Sequence, residues 1–186
     1  IAIAARAGED ILVFCDSDVA FLKPFDCAAF QRDGKVRLFR RDDALLGQYG
    51  DHLAWSRNAG RALGIASPAT SPHDYISTLI AWRRQSVLDM CTRIETTHGR
   101  HWVEVIGAHR KFSECMLYGR YVDEVAARGD HFHASEEFCR VHWTGEALSE
   151  TQFAAFMDGL APEQVAIGMQ SFIGTDLALI RRLALG

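Results

Sequence analysis

The stretch Asp10-Ile11-Leu12-Val13-Phe14-Cys15-Asp16-Ser17-Asp18-Val19-Ala20-Phe21 decides the fold class. Ile11 to Phe14 run apolar without alternation, the pattern of a strand buried on both faces of a parallel sheet. The strand ends in two carboxylates one residue apart. Ligands of open α/β sheets bind outside the carboxyl ends of the strands, so Asp16 and Asp18 are expected where a ligand sits. Two carboxylates there suit a hard divalent cation such as Mg²⁺ or Mn²⁺, which takes oxygen ligands. The competing reading is structural: aspartates at strand ends also bond nearby backbone N–H groups and cap turns.

Working outward, Lys23-Pro24-Phe25 marks a turn and Asp33-Gly34 a second one. Val36 to Phe39 alternates as a short strand. Asp42 to Leu63 reads as helical in parts, broken at Gly47 to Gly50, with Gly64 as its stop. Two prolines make Ser67 to Pro72 a loop, which ends at His73-Asp74. Ile76, Thr78, Ile80 and Trp82 recur at period two, predicting a strand from Tyr75 to Trp82. Val87, Met90, Cys91 and Ile94 then repeat at helical spacing, and Gly99 ends that helix. Ser113 reads as the N-cap of a further helix, with Glu114 in its first turn.

Phe138 to Trp143 reads as a strand. His131-X-His133 has a spacing open to metal binding, but a turn after Gly129-Asp130 is the favoured reading. Ser149-Glu150-Thr151-Gln152 matches a capping box, followed by Phe153, Phe156, Met157 and Leu160 on one face. Val165 to Met169 suits a short strand. Thr175-Asp176 starts a last helix with Leu177, Ile180 and Leu183 expected inward.

Composition narrows the function classes. A chain of 186 residues, 48% hydrophobic and 24% charged, suits one globular α/β domain spanning 1–186. A net charge of −4 gives no footprint for nucleic acid or an anionic membrane. Five scattered cysteines without a Cys-X-X-Cys argue against a disulfide framework and a cysteine zinc site, and favour a reducing, cytoplasmic compartment. No run is long enough for a transmembrane helix, and the opening residues do not form a signal peptide.

Asp16-Ser17-Asp18, with the strand before it and Phe21-Leu22-Lys23-Pro24-Phe25 after it, resembles the Asp-X-Asp element of GT-A-fold glycosyltransferases. His73-Asp74-Tyr75-Ile76, Trp82-Arg83-Arg84, Phe112-Ser113-Glu114 with Leu117-Tyr118-Gly119, and Val141-His142-Trp143 resemble a poorly characterised bacterial group of such proteins. The resemblance runs roughly from Ile11 to Trp143. It implies a GT-A-like, Rossmann-like mixed sheet flanked by helices. Only fifteen residues precede Asp16, so the resemblance also implies that part of the N-terminal nucleotide-binding half is lacking.

The implied activity is transfer of a sugar from a nucleotide sugar, UDP-linked by expectation, to a glycan, glycolipid or protein acceptor. Asp16 and Asp18 would bind Mn²⁺ or Mg²⁺ on the diphosphate, with His142 as a third ligand. Glu114 would be the catalytic base. His73, Asp74 and Trp82 would contact donor or acceptor, although a turn and strand cap (His73, Asp74) and core packing (Trp82) are the bland alternatives. The resemblance places such a protein in the cytoplasm or at the inner membrane face. Two other readings stand beside it. One is a haloacid-dehalogenase-like metal-dependent phosphatase with Asp16 as nucleophile, although the position two after Asp18 is Ala20 where those enzymes carry Thr or Val. The other is a non-catalytic GT-A relic that binds glycans or a partner.

Overall fold

The computed structural model describes residues 1–47, 50–126 and 128–184. The fold is mixed α/β, with small sheets and six α-helices among the described residues. Its contacts cluster into two compact units: residues 1–13, 28–76 and 80–135, and residues 14–27, 77–79 and 136–186.

In the first unit, β3 (Gln31–Arg32) and β4 (Lys35–Phe39) form an antiparallel hairpin. Its turn uses Asp33 and Gly34, both at positive φ (51° and 74°), which Asp and Gly tolerate best. β6 (His131–Ala134) adds to β4 in parallel, with Val36 opposite His131 and Phe39 opposite Ala134. Four helices belong to this unit: α1 (Asp51–Leu63), α2 (Arg84–His98), α3 (Trp102–Gly107) and α4 (Glu114–Arg120). Gly64 and Gly99 close α1 and α2 in the left-handed region, as their sequence positions predicted. Val87, Met90 and Ile94 of α2 are fully buried, as are Leu63, Met116, Leu117 and Tyr118. A π-helical turn, Tyr121–Ala126, continues α4.

The second unit is built on a three-stranded sheet in the order β2 (Val19–Phe21), β8 (Ala166–Met169), β7 (Cys139–His142). β8 is central, antiparallel to β2 and parallel to β7. α5 (Glu150–Asp158) and α6 (Leu177–Ala184) cover it. Phe153, Ile167, Met169, Leu179 and Ile180 form its buried core, with Ala20, Leu22, Phe156 and Leu160 packed around them. The capping box on α5 forms as its sequence predicted, Ser149 accepting from Gln152 N–H and Gln152 accepting from Ser149 N–H.

Several expectations need correction. β1 (Ile11–Cys15) is not a strand buried on both faces of a parallel sheet: its residues are half-buried or exposed. Its partner is β5 (Leu79–Arg83). Arg84 N–H donates to Asp10 O, and Asp16 N–H donates to Thr78 O. Residue numbers rise on one strand as they fall on the other, the sign of antiparallel pairing. β5 is shorter than the predicted Tyr75 to Trp82. Asp74 forms an isolated bridge to Arg41, and its Oδ1 accepts from Ile76 N–H, an Asx turn that diverts the chain before the strand begins. His131-X-His133 lies on strand β6, not in a turn. Leu177 points outward, 68% exposed, while Leu179 takes the inward place beside Ile180.

Candidate functional site

The second unit brings Asp16 and Asp18 to the mouth of its sheet. The chain turns through Ser17 between them, and Met169 N–H donates to Asp18 O at 3.1 Å, which extends the β2–β8 register by one pair. Both carboxylates lie near Cys139 on β7. Burial pushes that thiol up to about 11, and the charges of Glu137, Asp16 and Asp18 add to the rise.

Asp18 opens on a cavity of about 490 Å³, within the usual range for a small-ligand site. Its lining is apolar at Val19, Ala20, Ile167, Met169, Leu177 and Ile180, and polar at Ser17, Gln170, Ser171, Thr175 and Arg181. Sequence reading missed this polar part of the lining. Thr175 was visible only as a helix start, and Arg181 carried no signal of its own. Nothing local in the sequence ties either residue to Asp18, because the central strand β8 is what carries the segment 170–181 to it.

His142 sits at the end of β7, opposite Met169 in the parallel ladder. Asp18, Met169 and His142 therefore occupy one row across three strands, about 10 Å from end to end at ordinary strand spacing. The Met169 position stands between the two candidate ligands. His142 Nε2 contacts Glu146 O at 3.0 Å, and its ring meets Phe156 edge-on. Among the described residues, no group of three His, Cys, Asp or Glu side chains converges as a metal site. The set Asp16, Asp18 and His142 is thus not assembled. Asp16 and Asp18 alone supply hard oxygen ligands, and Mg²⁺ is commonly held by one or two carboxylates with phosphate oxygens and water in the remaining positions. Of the two, Asp18 lines the cavity and offers it a hard oxygen ligand, whereas Asp16 is not among the lining residues.

The other sequence candidates lie in the first unit. Asp74 is buried; it accepts from Arg41 Nη2 at 2.9 Å as well as from Ile76 N–H. His73 accepts at Nδ1 from Asp43 N–H at 3.2 Å. These are the partners of a turn and strand cap, although His52 Nδ1 at 3.8 Å from Asp74 leaves one polar edge towards solvent. Trp82 is buried and stacked on Tyr118, ring centroids 4.9 Å apart, so its face is covered. Glu114 is exposed in the first turn of α4, and Ser113 Oγ caps the helix by accepting from Met116 N–H. No described helix is long and apolar enough to cross a membrane.

Residues 1–161 match the model of a family of unknown function, DUF6492, and the chain belongs to that family. The matched span includes Asp16, Asp18 and His142 and ends before β8 and α6. No curated protein matches the chain, and no solved structure does.

Proposed function

We propose that this member of DUF6492 is a GT-A-like glycosyltransferase that moves a sugar from a nucleotide-sugar donor to a hydroxyl acceptor. The observation that carries the reading is the Asp18 carboxylate at the end of an Asp-X-Asp strand, facing a cavity of about 490 Å³ that Arg181 also lines. Sugar transfer leaves negative charge on a departing diphosphate, and catalysis requires positive charge placed where it develops. A bound Mg²⁺ or Mn²⁺ would neutralise that charge as the bond to the sugar breaks.

The chain's own residues have separable tasks in this reading. Asp18, with Asp16, holds the cation. The Arg181 guanidinium meets phosphate oxygens, which it can grip through two parallel N–H bonds. Ser171 and Thr175 hydroxyls orient the donor by hydrogen bonds, and the apolar wall of Ile167, Met169 and Ile180 excludes water from the departing group. His142 is left out of the cation site because it does not converge with Asp16 and Asp18 into a metal-binding group among the described residues.

The test is thermal denaturation of the full-length protein with UDP, GDP and CDP, each with and without Mn²⁺. One nucleotide should stabilise the protein only when metal is present, and Asp18→Ala should abolish the effect. Arg181→Gln should weaken it about tenfold while leaving the metal dependence intact. Absence of any nucleotide response, or a response unchanged in Asp18→Ala, would overturn the proposal.

A further inference from the structure

Asp123, in the first unit, lies on the π-helical turn Tyr121–Ala126. Such turns insert an extra residue into a helix and occur often at functional sites. Its side chain is mostly buried, 14% exposed, yet it accepts three hydrogen bonds. Arg40 Nη1 donates at 2.9 Å and Tyr75 Oη at 2.8 Å, both to Oδ2, and His133 Nε2 lies 2.8 Å from Oδ1. Burial alone would push the carboxyl up. The bonds from His133, Arg40 and Tyr75 outweigh it and bring the group down to about 2, so Asp123 is an anion at neutral pH.

That charge decides which ring nitrogen of His133 donates. A carboxylate only accepts, so the 2.8 Å contact requires a proton on Nε2. Arg40 Nη1, 3.1 Å from the same nitrogen, has only protons to offer and gives one to Asp123. A neutral imidazole protonated at Nε2 carries its lone pair on Nδ1. No partner for that atom is found among the described residues. The His133 side chain is 42% exposed and lines a cavity of about 250 Å³ with Val122, Asp123, Arg128, Gly129 and His131. A buried carboxylate on one ring nitrogen and an open lone pair on the other is the arrangement that orients proton-accepting histidines. His131 lacks it: Nδ1 is on Asp130 and Nε2 on Tyr118, both at 2.8 Å.

We propose that His133 and Asp123 form a hydrogen-bond-accepting centre for a hydroxyl-bearing ligand the size of one sugar ring, with a ligand hydroxyl on Nδ1 and a second oxygen on Arg128. The hydroxyl donates to Nδ1 and keeps its proton, and Asp123 holds the ring in the orientation that presents that nitrogen to the cavity. Arg128 is half-exposed and anchored by Asp89 at 2.5 Å, which holds its guanidinium at the cavity edge. Asp123, Arg40, Arg128 and His131 are the charged and titratable groups around His133. This centre stands on the first unit alone and does not depend on Asp16 or Asp18.

Nitrogen-detected NMR of the full chain, ¹⁵N-labelled at histidine, tests it with glucose, galactose and mannose as probes. The His133 ring should carry its proton on Nε2 at neutral pH. At least one hexose should shift the Nδ1 resonance saturably. His133→Gln should abolish that binding, Asp123→Asn should weaken it about tenfold, and Asp18→Ala should leave it unchanged. A proton on Nδ1 in the wild-type protein, or no response to any of the three sugars, would overturn the proposal even if Asp123→Asn fails to fold.

Discussion

The buried guanidinium of Arg120 donates to both carboxylate oxygens of Glu124, Nε to Oε1 at 2.6 Å and Nη2 to Oε2 at 2.8 Å. Its remaining three N–H groups go to the carbonyls of Ser56, Ala69 and Pro68, at 2.7, 3.0 and 2.9 Å. All five donors are used, so one side chain ties α1, the loop after it and α4 together. Gly60 makes room for it: a Cβ there would stand 2.5 Å from Arg120 Nη1. Arg120→Met strands a carboxylate, the buried Ser56 carbonyl and the partly buried carbonyls of Pro68 and Ala69, and removing one partner of a buried ion pair costs about 3–5 kcal/mol. Arg120→Lys should lose most of the same stability, because an ammonium cannot reproduce the fork. Urea unfolding measures both. A loss under about 1 kcal/mol in either variant would mean the carbonyls find other donors.

Asp123 should make the protein acid-sensitive. Its folded value, about 2, lies below the ordinary 3.8 of an aspartyl carboxyl. A depressed carboxyl contributes stability that is present above the unfolded value and lost as pH falls from there through the folded one. The window is therefore from about pH 4 down to pH 2. The contribution is on the order of 1–2 kcal/mol once solvent screening is allowed for. Chemical denaturation across that range should show the loss in the wild-type protein and a flatter profile in Asp123→Asn. Equal slopes in the two proteins would assign the acid sensitivity elsewhere.

The cysteines should divide by reactivity. Burial pushes the thiols of Cys139 and Cys91 up to about 11, and the thiolate is the reactive form. Cys15 and Cys27 are exposed. Iodoacetamide near neutral pH should label Cys15 and Cys27 in the native protein, leaving Cys139 and Cys91 unmodified until denaturant is added. Mass spectrometry of tryptic peptides reads the outcome. Early labelling of Cys139 would show that the second unit opens easily around it.

What the sequence made legible was local. The Asp33-Gly34 turn, the glycine stops of α1 and α2, the apolar face of α2 and the Ser149–Gln152 capping box each depend on neighbours a few residues away, and each formed where the pattern placed it. What stayed hidden depended on distant partners. The apolar run of β1 fits a doubly covered strand and a half-exposed one equally well, and only its pairing with β5 separates them. His131 and His133 follow a Gly-Asp pair that signals a turn, yet β4, about a hundred residues earlier, draws them into a parallel ladder. On α6, Leu177 and Leu179 are equally apolar, and the position of the sheet beneath decides which one is covered.

The candidate site divides in the same way. Asp16 and Asp18 announce themselves by spacing and context. Arg181, Ser171 and Thr175 have no pattern of their own and become visible only beside Asp18. Asp123 lies beyond the helix start read at Ser113, and nothing local in the sequence marks the π-helical turn that carries it.

The central position of β8 also sets an order of events during synthesis. β2 is made well before β8, but its ladder among the described residues is with β8, and β7 also pairs with β8. Neither outer strand has a partner until residues 166–169 have left the ribosome. Contacts so far apart in sequence form slowly, since a long loop must close before they repay it. The first unit can begin to settle while translation continues. The geometry at Asp16 and Asp18 is thus not fixed until long after those two residues are translated.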